Sequence, residues 1–390
     1  MTLMNRLFDA RMNARQVAVT RIGVALAVLL GWASSAETLP GLAEPGVLRV
    51  PYVDWFPNPD AAVVALLLGA WGIAALLFMV GWRTRVAGAV LTATLASVLF
   101  IDQQMYNNYL YLMVLSVGLL TIADSGAALS LDARGRERGG RERGGQQTVA
   151  AWPVLLLCVQ VSIVYGFAAL AKLNPDFLSG SVVASYLRRD GPLAVPDAWR
   201  ALEPMLVLSV LAVCSEAFLA VALWSRRWRP AGLVVGLGLH IGITGWLVST
   251  NSLFVFSILM FALFIPFLDA PMAGRAVVWD DGCGFCAGWV RWFRRLDWLG
   301  AFRFVPRSAL AESGLPVSEA AAAEALQLVS PSGRVRSGFA AVVGVAELLP
   351  LSFLWAPLLR LPPVAALGER AYRRVAARRT CPLPAMSPAG

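Results

Sequence analysis

The sequence predicts a polytopic α-helical membrane bundle of about eight spans over residues 1–270, followed by a small α/β domain over residues 271–390. Three observations predict it. First, the 390-residue chain is 58% hydrophobic and 15% charged, against about 45–50% and about 25% for ordinary soluble domains; its mean hydropathy is +0.66. Disorder, collagen and a cytosolic globule are excluded. Second, apolar segments of the length a bilayer demands recur through the first 270 residues; a span needs about 20 mostly apolar residues. Third, residues 271–390 hold no such run and carry 14 Arg against 8 Asp and Glu, a net of +6.

The apolar segments fall at about 17–33, 61–82, 86–101, 105–123, 152–173, 205–224, 230–248 and 252–270, with 86–101 the shortest and weakest. Pro57 and Pro59 precede the second, Pro153 starts the fifth and Pro230 opens the seventh. Trp82, Tyr106, Trp152 and Trp228 lie near span ends, as an interfacial aromatic belt requires. Arg accumulates at alternate ends: Arg6, Arg11, Arg15 and Arg21; Arg83 and Arg85; Arg134, Arg136, Arg138, Arg141 and Arg143; Arg226, Arg227 and Arg229. The other loops hold Arg49, Arg188, Arg189 and Arg200, mixed with acids. By the positive-inside rule, both termini are then cytoplasmic, in a multi-pass protein of a bacterial-type inner (plasma) membrane. Residues 22–33 followed by Ala33-Ser34-Ser35-Ala36 also admit a signal-peptide reading, with cleavage after about residue 36, although the polar lead-in is long. Residues 134–145 repeat the unit R-E-R-G-G and read as a flexible, solvated loop, since interleaved Glu and missing aromatics argue against nucleic-acid binding.

Of the five cysteines, Cys158 and Cys214 lie in apolar runs, Cys381 is near the end of the chain, and only Cys283 and Cys286 are close in sequence. Residues 276–280 read as a short buried strand, and Ala287 to Asp297 as a helix. A C-x-x-C at such a strand-to-helix junction is the arrangement of a thioredoxin-like redox site. Thiolate is the reactive form, and unpaired N–H groups at a helix N-terminus stabilise it. Spacing of three puts the second sulfur one turn on, able to attack a mixed disulfide formed at the first. Cys283 is therefore assigned as nucleophile and Cys286 as resolver, with Arg291, Arg294 and Arg295 adding positive field. The competing reading is half a zinc site, but there is no second C-x-x-C, and the only His lies in the membrane half. No metal is assigned.

The pattern Asp280-x-x-Cys283-x-x-Cys286 after an apolar strand resembles the DCC family of thiol-disulfide oxidoreductases, which implies a thioredoxin-like fold. The likeness extends to the strand Phe302-Arg303-Phe304-Val305-Pro306, a hairpin over Gln327–Arg336 turning at Ser332-Gly333, and the tail from Tyr372 to Arg379. It spans residues 275–382. It implies catalytic roles for Cys283 and Cys286, and for Asp280 either orientation or proton relay; a strand-terminating turn explains Asp280 equally well. Asp281 departs from the family, where Gly often follows the first Asp, and a second carboxylate there opposes thiolate formation.

In the membrane half, ionisable groups at depth cost about 2.5–3.5 kcal/mol on insertion scales, so each is a candidate site. Three qualify: Lys172, Glu216 and His240. Lys172 is the only Lys in the chain, and only Lys among the basic pair can deprotonate and act as a base. The bland alternatives are a snorkelling Lys172 and a packing hydrogen bond between Glu216 and His240. The string from Tyr165 to Gly180, around Ala171-Lys172-Leu173-Asn174-Pro175, resembles the segment about the base of vitamin K-dependent gamma-carboxylase, a member of the horizontally transferred transmembrane (HTTM) family. Asn107-Asn108-Tyr109-Leu110-Tyr111-Leu112, with Asp124 downstream, and the stretch from Glu216 to His240 agree over residues 5–270. The resemblance implies Lys172 as the base toward a reduced quinone, His240 as a nearby polar partner, and Asn108 and Tyr109 as site residues. Tyr109 stands where the carboxylase has a His, and the carboxylase's lumenal region is replaced by the thiol domain, which argues against protein carboxylation.

The leading reading is a membrane-anchored thiol-disulfide oxidoreductase, protein-disulfide reductase-like, using the dithiol on the cytoplasmic side. Its partners are the lipid bilayer and a protein or small-molecule thiol or disulfide, not nucleic acid. The alternatives are quinone-dependent chemistry at Lys172, with a quinone as cofactor, and a non-enzymatic membrane scaffold.

Overall fold

A computed structural model describes residues 8–44, 46–48, 50–52, 59–138, 147–187, 202–247, 251–268 and 274–378. The chain divides into two compact units, Met1–Phe267 and Leu268–Gly390.

Among the described residues, the first unit holds eight helices of 14 to 25 residues, one for each predicted segment: α1 (Ala14–Thr38), α2 (Ala61–Val80), α3 (Thr84–Ile101), α4 (Asn108–Ile122), α5 (Trp152–Ala171), α6 (Leu202–Ala222), α7 (Arg229–Trp246) and α8 (Asn251–Phe264). Among the described residues, α1, α2, α3, α5 and α6 are long and apolar enough to cross a membrane, and α4 is a shorter apolar helix. At about 1.5 Å per residue, the 15 residues of α4 rise about 22 Å, short of a hydrocarbon core of about 30 Å. The segment read as weakest, 86–101, is a complete helix of 18 residues.

Capping explains the boundaries. Asn13 opens α1, its side chain accepting from the Arg15 N–H at 2.9 Å. Asp60 does the same for α2 through the Val63 N–H at 2.8 Å, and Gly81 ends α2 in the left-handed region at φ +69. Helix α1 packs against α2, α4 and α8, and Ala33–Ala36 falls inside it. A Cβ on Gly23 would come within 2.8 Å of the Ala262 side chain, so a residue without one lets α1 and α8 approach. Leu66, Ile73, Phe167 and Leu170 point outward and exposed, as helices solvated by lipid tails require.

Two segments differ from the sequence reading. Leu131–Arg138 is a short helix, not a loop: Ser130 Oγ accepts from the Ala133 N–H at 2.9 Å, and Arg136 donates to the Gly126 carbonyl at 2.8 Å. The rest of the R-E-R-G-G repeat lies outside the described residues, as do Arg6, Arg49, Pro57, Arg141, Arg143, Arg188, Arg189, Arg200, Arg379 and Cys381. The second addition is a two-stranded antiparallel ribbon of β1 (Arg11–Asn13) and β2 (Thr148–Ala150), which the sequence did not announce.

The second unit has a four-stranded sheet, β3 (Arg275–Trp279), β4 (Phe302–Pro306), β5 (Gln327–Val329) and β6 (Val335–Ser337), in the order β4-β3-β5-β6. β3 and β4 are parallel and joined through α9 (Gly284–Leu296); β5 is antiparallel to β3, and β6 to β5. This β-α-β unit followed by a hairpin is a thioredoxin-like arrangement. β3 is central and covered on both faces, which is why it reads Ala-Val-Val without polar alternation. On one face Ala276 and Val278 join Val305, Leu310, Ala322 and Val329 in an apolar cluster. Val290 and Phe293 are the buried residues of α9. Two longer helices follow the hairpin, α10 (Gly338–Ala346) and α11 (Pro362–Ala377).

Candidate functional site

The chain leaves β3 through Asp280, whose buried carboxylate accepts from the Gly282 N–H at 3.2 Å and pairs with the Arg307 guanidinium at 3.3 Å. A carboxylate bonded to the backbone two residues on is an Asx turn; it reverses the chain so that the next residues enter α9. Asp281 accepts from the Ser308 N–H at 3.2 Å. Burial works against its charge, but the hydrogen bonding with Ser308 and the nearby Arg307 outweigh it and hold its carboxyl below the usual range. Its charge is thus engaged by the β4 side of the turn.

Cys283 is the N-cap residue of α9, its carbonyl accepting from the Ala287 N–H at 3.0 Å. The helix therefore starts at Gly284, three residues before the predicted Ala287, and both cysteines belong to its first turn. Cys283 is buried at 1% exposure and is disulfide-bonded. Cys286 is half-buried and in no disulfide, so the bridge at Cys283 is not closed to Cys286. Cys286 lines an apolar cavity of about 260 Å³ together with Trp289, Phe293, Leu326, Phe339 and Tyr372. Tyr372 is fixed there by accepting from the Leu326 N–H at 3.0 Å.

The membrane unit brings its polar residues together in a different pairing from the one the sequence suggested. Lys172, at the C-terminal end of α5, donates to both carboxylate oxygens of Glu216 on α6, at 2.6 and 2.7 Å. Its side chain is 28% exposed and that of Glu216 only 7%, so Lys172 turns inward to an ion pair and does not snorkel. The Lys172 ammonium also lies 5.7 Å from the Phe177 ring centroid. Glu216 is thereby taken from His240. The buried His240 on α7 has its own chain of partners: Tyr165 at 2.8 Å through Nε2 and Ser257 at 3.0 Å through Nδ1. Ser257 donates to the Leu253 carbonyl at 2.9 Å, so its oxygen is free to accept from Nδ1–H. Asn107, not Asn108, caps α4, accepting from the Leu110 N–H at 2.8 Å. Asn108 is exposed and Tyr109 half-buried; neither is a hydrogen-bond partner of Lys172, Glu216 or His240.

Comparison with known families matches an HTTM domain over residues 10–269 and a DCC1-like thiol-disulfide oxidoreductase over residues 277–381. The chain belongs to the HTTM-domain family. Its C-terminal unit is a DCC1-like domain fused to it. No curated protein and no solved structure matches the chain.

Sequence reasoning missed two features of the HTTM domain. Tyr165, quoted as motif, is the partner of His240. Arg21, read as a loop charge, is fully buried in α1 and donates to the carbonyls of Ser125 at 2.6 Å, Leu129 at 2.8 Å and Met79 at 3.4 Å. Its place inside an apolar segment, rather than before it, was the available signal. Among the described residues, no three His, Cys, Asp or Glu side chains converge as a metal site.

Proposed function

We propose that this HTTM–DCC1-like fusion is a membrane-anchored thiol-disulfide oxidoreductase that works through Cys283 and Cys286 on the cytoplasmic face, with a protein or small-molecule disulfide as substrate. The observation that carries the reading is the placement of both sulfurs in the first turn of α9, at the end of a central strand. There the unpaired N–H groups of the helix favour thiolate. Cys286, the more accessible sulfur, faces an apolar cavity suited to the flank of a client cysteine. Asp280 and Arg307 hold the turn; neither is needed as a proton relay. The Arg distribution supports the cytoplasmic placement.

The test uses full-length protein in detergent with a reduced dithiol as electron source and an insulin-type disulfide as substrate. Reduction of the substrate, lost in Cys283→Ser, is expected. Equal turnover in that variant refutes the reading.

A second reading has its own support in the Lys172–Glu216 pair. A reduced quinone, if held there, would supply an acidic hydroxyl and two-electron redox chemistry. The residues fit such a group: the carboxylate of Glu216 can take a proton, and the Lys172 cation, 28% exposed, can stabilise the resulting oxyanion. On this reading the base is the ion pair as a unit, not Lys172 alone. Lys172→Arg should then lower a quinol-dependent activity that Cys283→Ser leaves unchanged.

A further inference from the structure

We infer that the outward face of α9 is a membrane-docking surface. It seats Phe285, Trp289 and Trp292 in the headgroup layer of a bilayer, with Arg291 and Arg295 on the phosphates of anionic phospholipids. This is a second membrane contact, distinct from the HTTM helices.

Helix α9 buries Val290 and Phe293 and leaves its other flank bare. Phe285, Trp289 and Trp292 follow one another at spacings of four and three, which places them along one side of a helix. They are 48%, 53% and 60% exposed. Large rings grouped on a surface mark a protein or membrane contact, whereas rings scattered singly do not. The stripe is already ordered: the rings of Phe285 and Trp289 meet edge to face at 6.4 Å, and Trp289 packs on the buried Phe293 at 6.0 Å. Indole, with an apolar body and a polar N–H, is the side chain most at home at a membrane–water interface.

Charge names the partner. Residues 284–296 hold three Arg and no acid. Arg294 lies over the Phe304 ring at 5.3 Å. Arg291 and Arg295 are exposed, and among the described residues no carboxylate pairs with either. Four residues apart, they are neighbours on the helix surface. They share with Trp289 and Trp292 an open groove of about 670 Å³, over Gly288, where a Cβ would meet nothing within 4 Å. Guanidinium forks match phosphate oxygens, so the groove suits a phosphate ester beside an apolar surface. An aromatic stripe with basic side chains on the adjoining flank is the pattern of a helix lying in the membrane interface.

Covalent connection supplies the lipid. The chain leaves the membrane unit at Phe267 and enters β3 at Arg275, eight residues on, a stretch of at most about 26–29 Å. A bilayer is therefore present at high effective concentration. The Arg275 N–H donates to the Ala301 carbonyl at 2.9 Å, so the turn that follows α9, with Trp298 at 40% exposure, lies beside the first residue of that strand. Phe285 and Trp289 also line the cavity of Cys286. On the oxidoreductase reading, docking sets the mouth of that cavity at the lipid interface, where it meets membrane-bound disulfides. The docking itself does not depend on that reading.

The experiment is hydroxyl-radical footprinting of the full-length protein in nanodiscs, read by peptide mass spectrometry. One set of discs is phosphatidylcholine alone, the other equal parts phosphatidylcholine and phosphatidylglycerol. Trp289 and Trp292 should oxidise several times more slowly in the anionic discs. Trp355, exposed and lining neither the groove nor the cavity, should oxidise alike in both and reports that the unit is folded. In R291Q/R295Q the difference between the discs should vanish, because each cation near an anionic surface contributes about fivefold. Equal oxidation of the two Trp in both discs overturns the inference: fast means that nothing covers the face, slow that protein does. Protection that survives R291Q/R295Q, or that inorganic phosphate confers in neutral discs, overturns it as well, the second by making the ligand a soluble anion. Disulfide turnover enters none of these readouts, so failure here leaves the oxidoreductase reading untouched.

Discussion

The ion pair between Lys172 and Glu216 can be broken from either side, and the two sides should not cost the same. Lys172→Met leaves a carboxylate that is only 7% exposed without its cation, whereas Glu216→Gln leaves an ammonium whose side chain is 28% exposed. Removing one partner of a buried pair costs about 3–5 kcal/mol, because the survivor keeps its desolvation penalty. Lys172→Met should fall in that range, and Glu216→Gln below it. Replacing both charges together removes the orphan, so the double variant should be more stable than Lys172→Met alone. The assay is thermal unfolding of the detergent-solubilised chain for the wild type, both single variants and the double variant, analysed as a double-mutant cycle. At about 2–4 °C per kcal/mol for a domain of this size, Lys172→Met should lower Tm by about 6–20 °C. If the two single effects are equal and simply add in the double variant, the charges are not coupled and the membrane site as described is wrong.

Three further outcomes are expected. Tyr165→Phe removes the hydroxyl bonded to His240 Nε2 and leaves that buried ring nitrogen unmet, at a cost of about 1–3 kcal/mol; thermal unfolding in detergent checks it, and an unchanged Tm refutes it. Gly344→Ala brings a Cβ to 2.5 Å from the Leu328 side chain and 3.1 Å from that of Arg336, so the buried Leu328 side chain must repack at about 1–3 kcal/mol, read as a lower Tm of the thiol unit and denied by a neutral effect. The carboxyl of Asp281 is held below its usual range, so its charged form adds stability that is complete above the ordinary carboxylate pKa of about 3.9 and is lost as pH falls through the lower folded value. Asp281→Asn should therefore flatten the acid limb of stability below about pH 4, and an identical acid limb in the variant contradicts this.

Much of the fold was written in local pattern, and the site was not. Apolar runs gave the helices, because a span must satisfy its own backbone and so declares itself over its whole length. Phe302–Pro306 and the turn through Gly333, at φ +77, were equally plain, since a β-branched or aromatic run and a left-handed glycine are local signals. Helix starts were less so: α9 begins at Gly284 because the Asx turn at Asp280 and the N-cap at Cys283 fix it, and neither is a hydrophobic periodicity. The polar pairings were illegible for a different reason. Lys172 and Glu216 are 44 residues apart, and Tyr165 and His240 are 75 apart, so each depends on the relative register and rotation of two helices. Within a bilayer, packing detail sets these, with no amphipathic stripe to mark the facing side. Sequence chemistry named Lys172, Glu216 and His240 and offered a Glu216–His240 contact; the structure pairs Glu216 with Lys172 and His240 with Tyr165. The Asp132 carboxylate, which accepts from the N–H groups of Arg83 and Thr84 at 2.8 Å each and so starts α3, lies just ahead of the stretch that read as a charged loop and carried no sequence signal of its own.

The account turns on whether the sulfurs at the head of α9 exchange electrons. The direct measurement equilibrates the full-length protein with glutathione buffers of graded potential and counts alkylatable thiols by intact mass at each. The account predicts a single two-electron transition in the wild type that disappears in Cys283→Ser. A thiol count that is flat across the range, or a transition that survives that substitution, contradicts it.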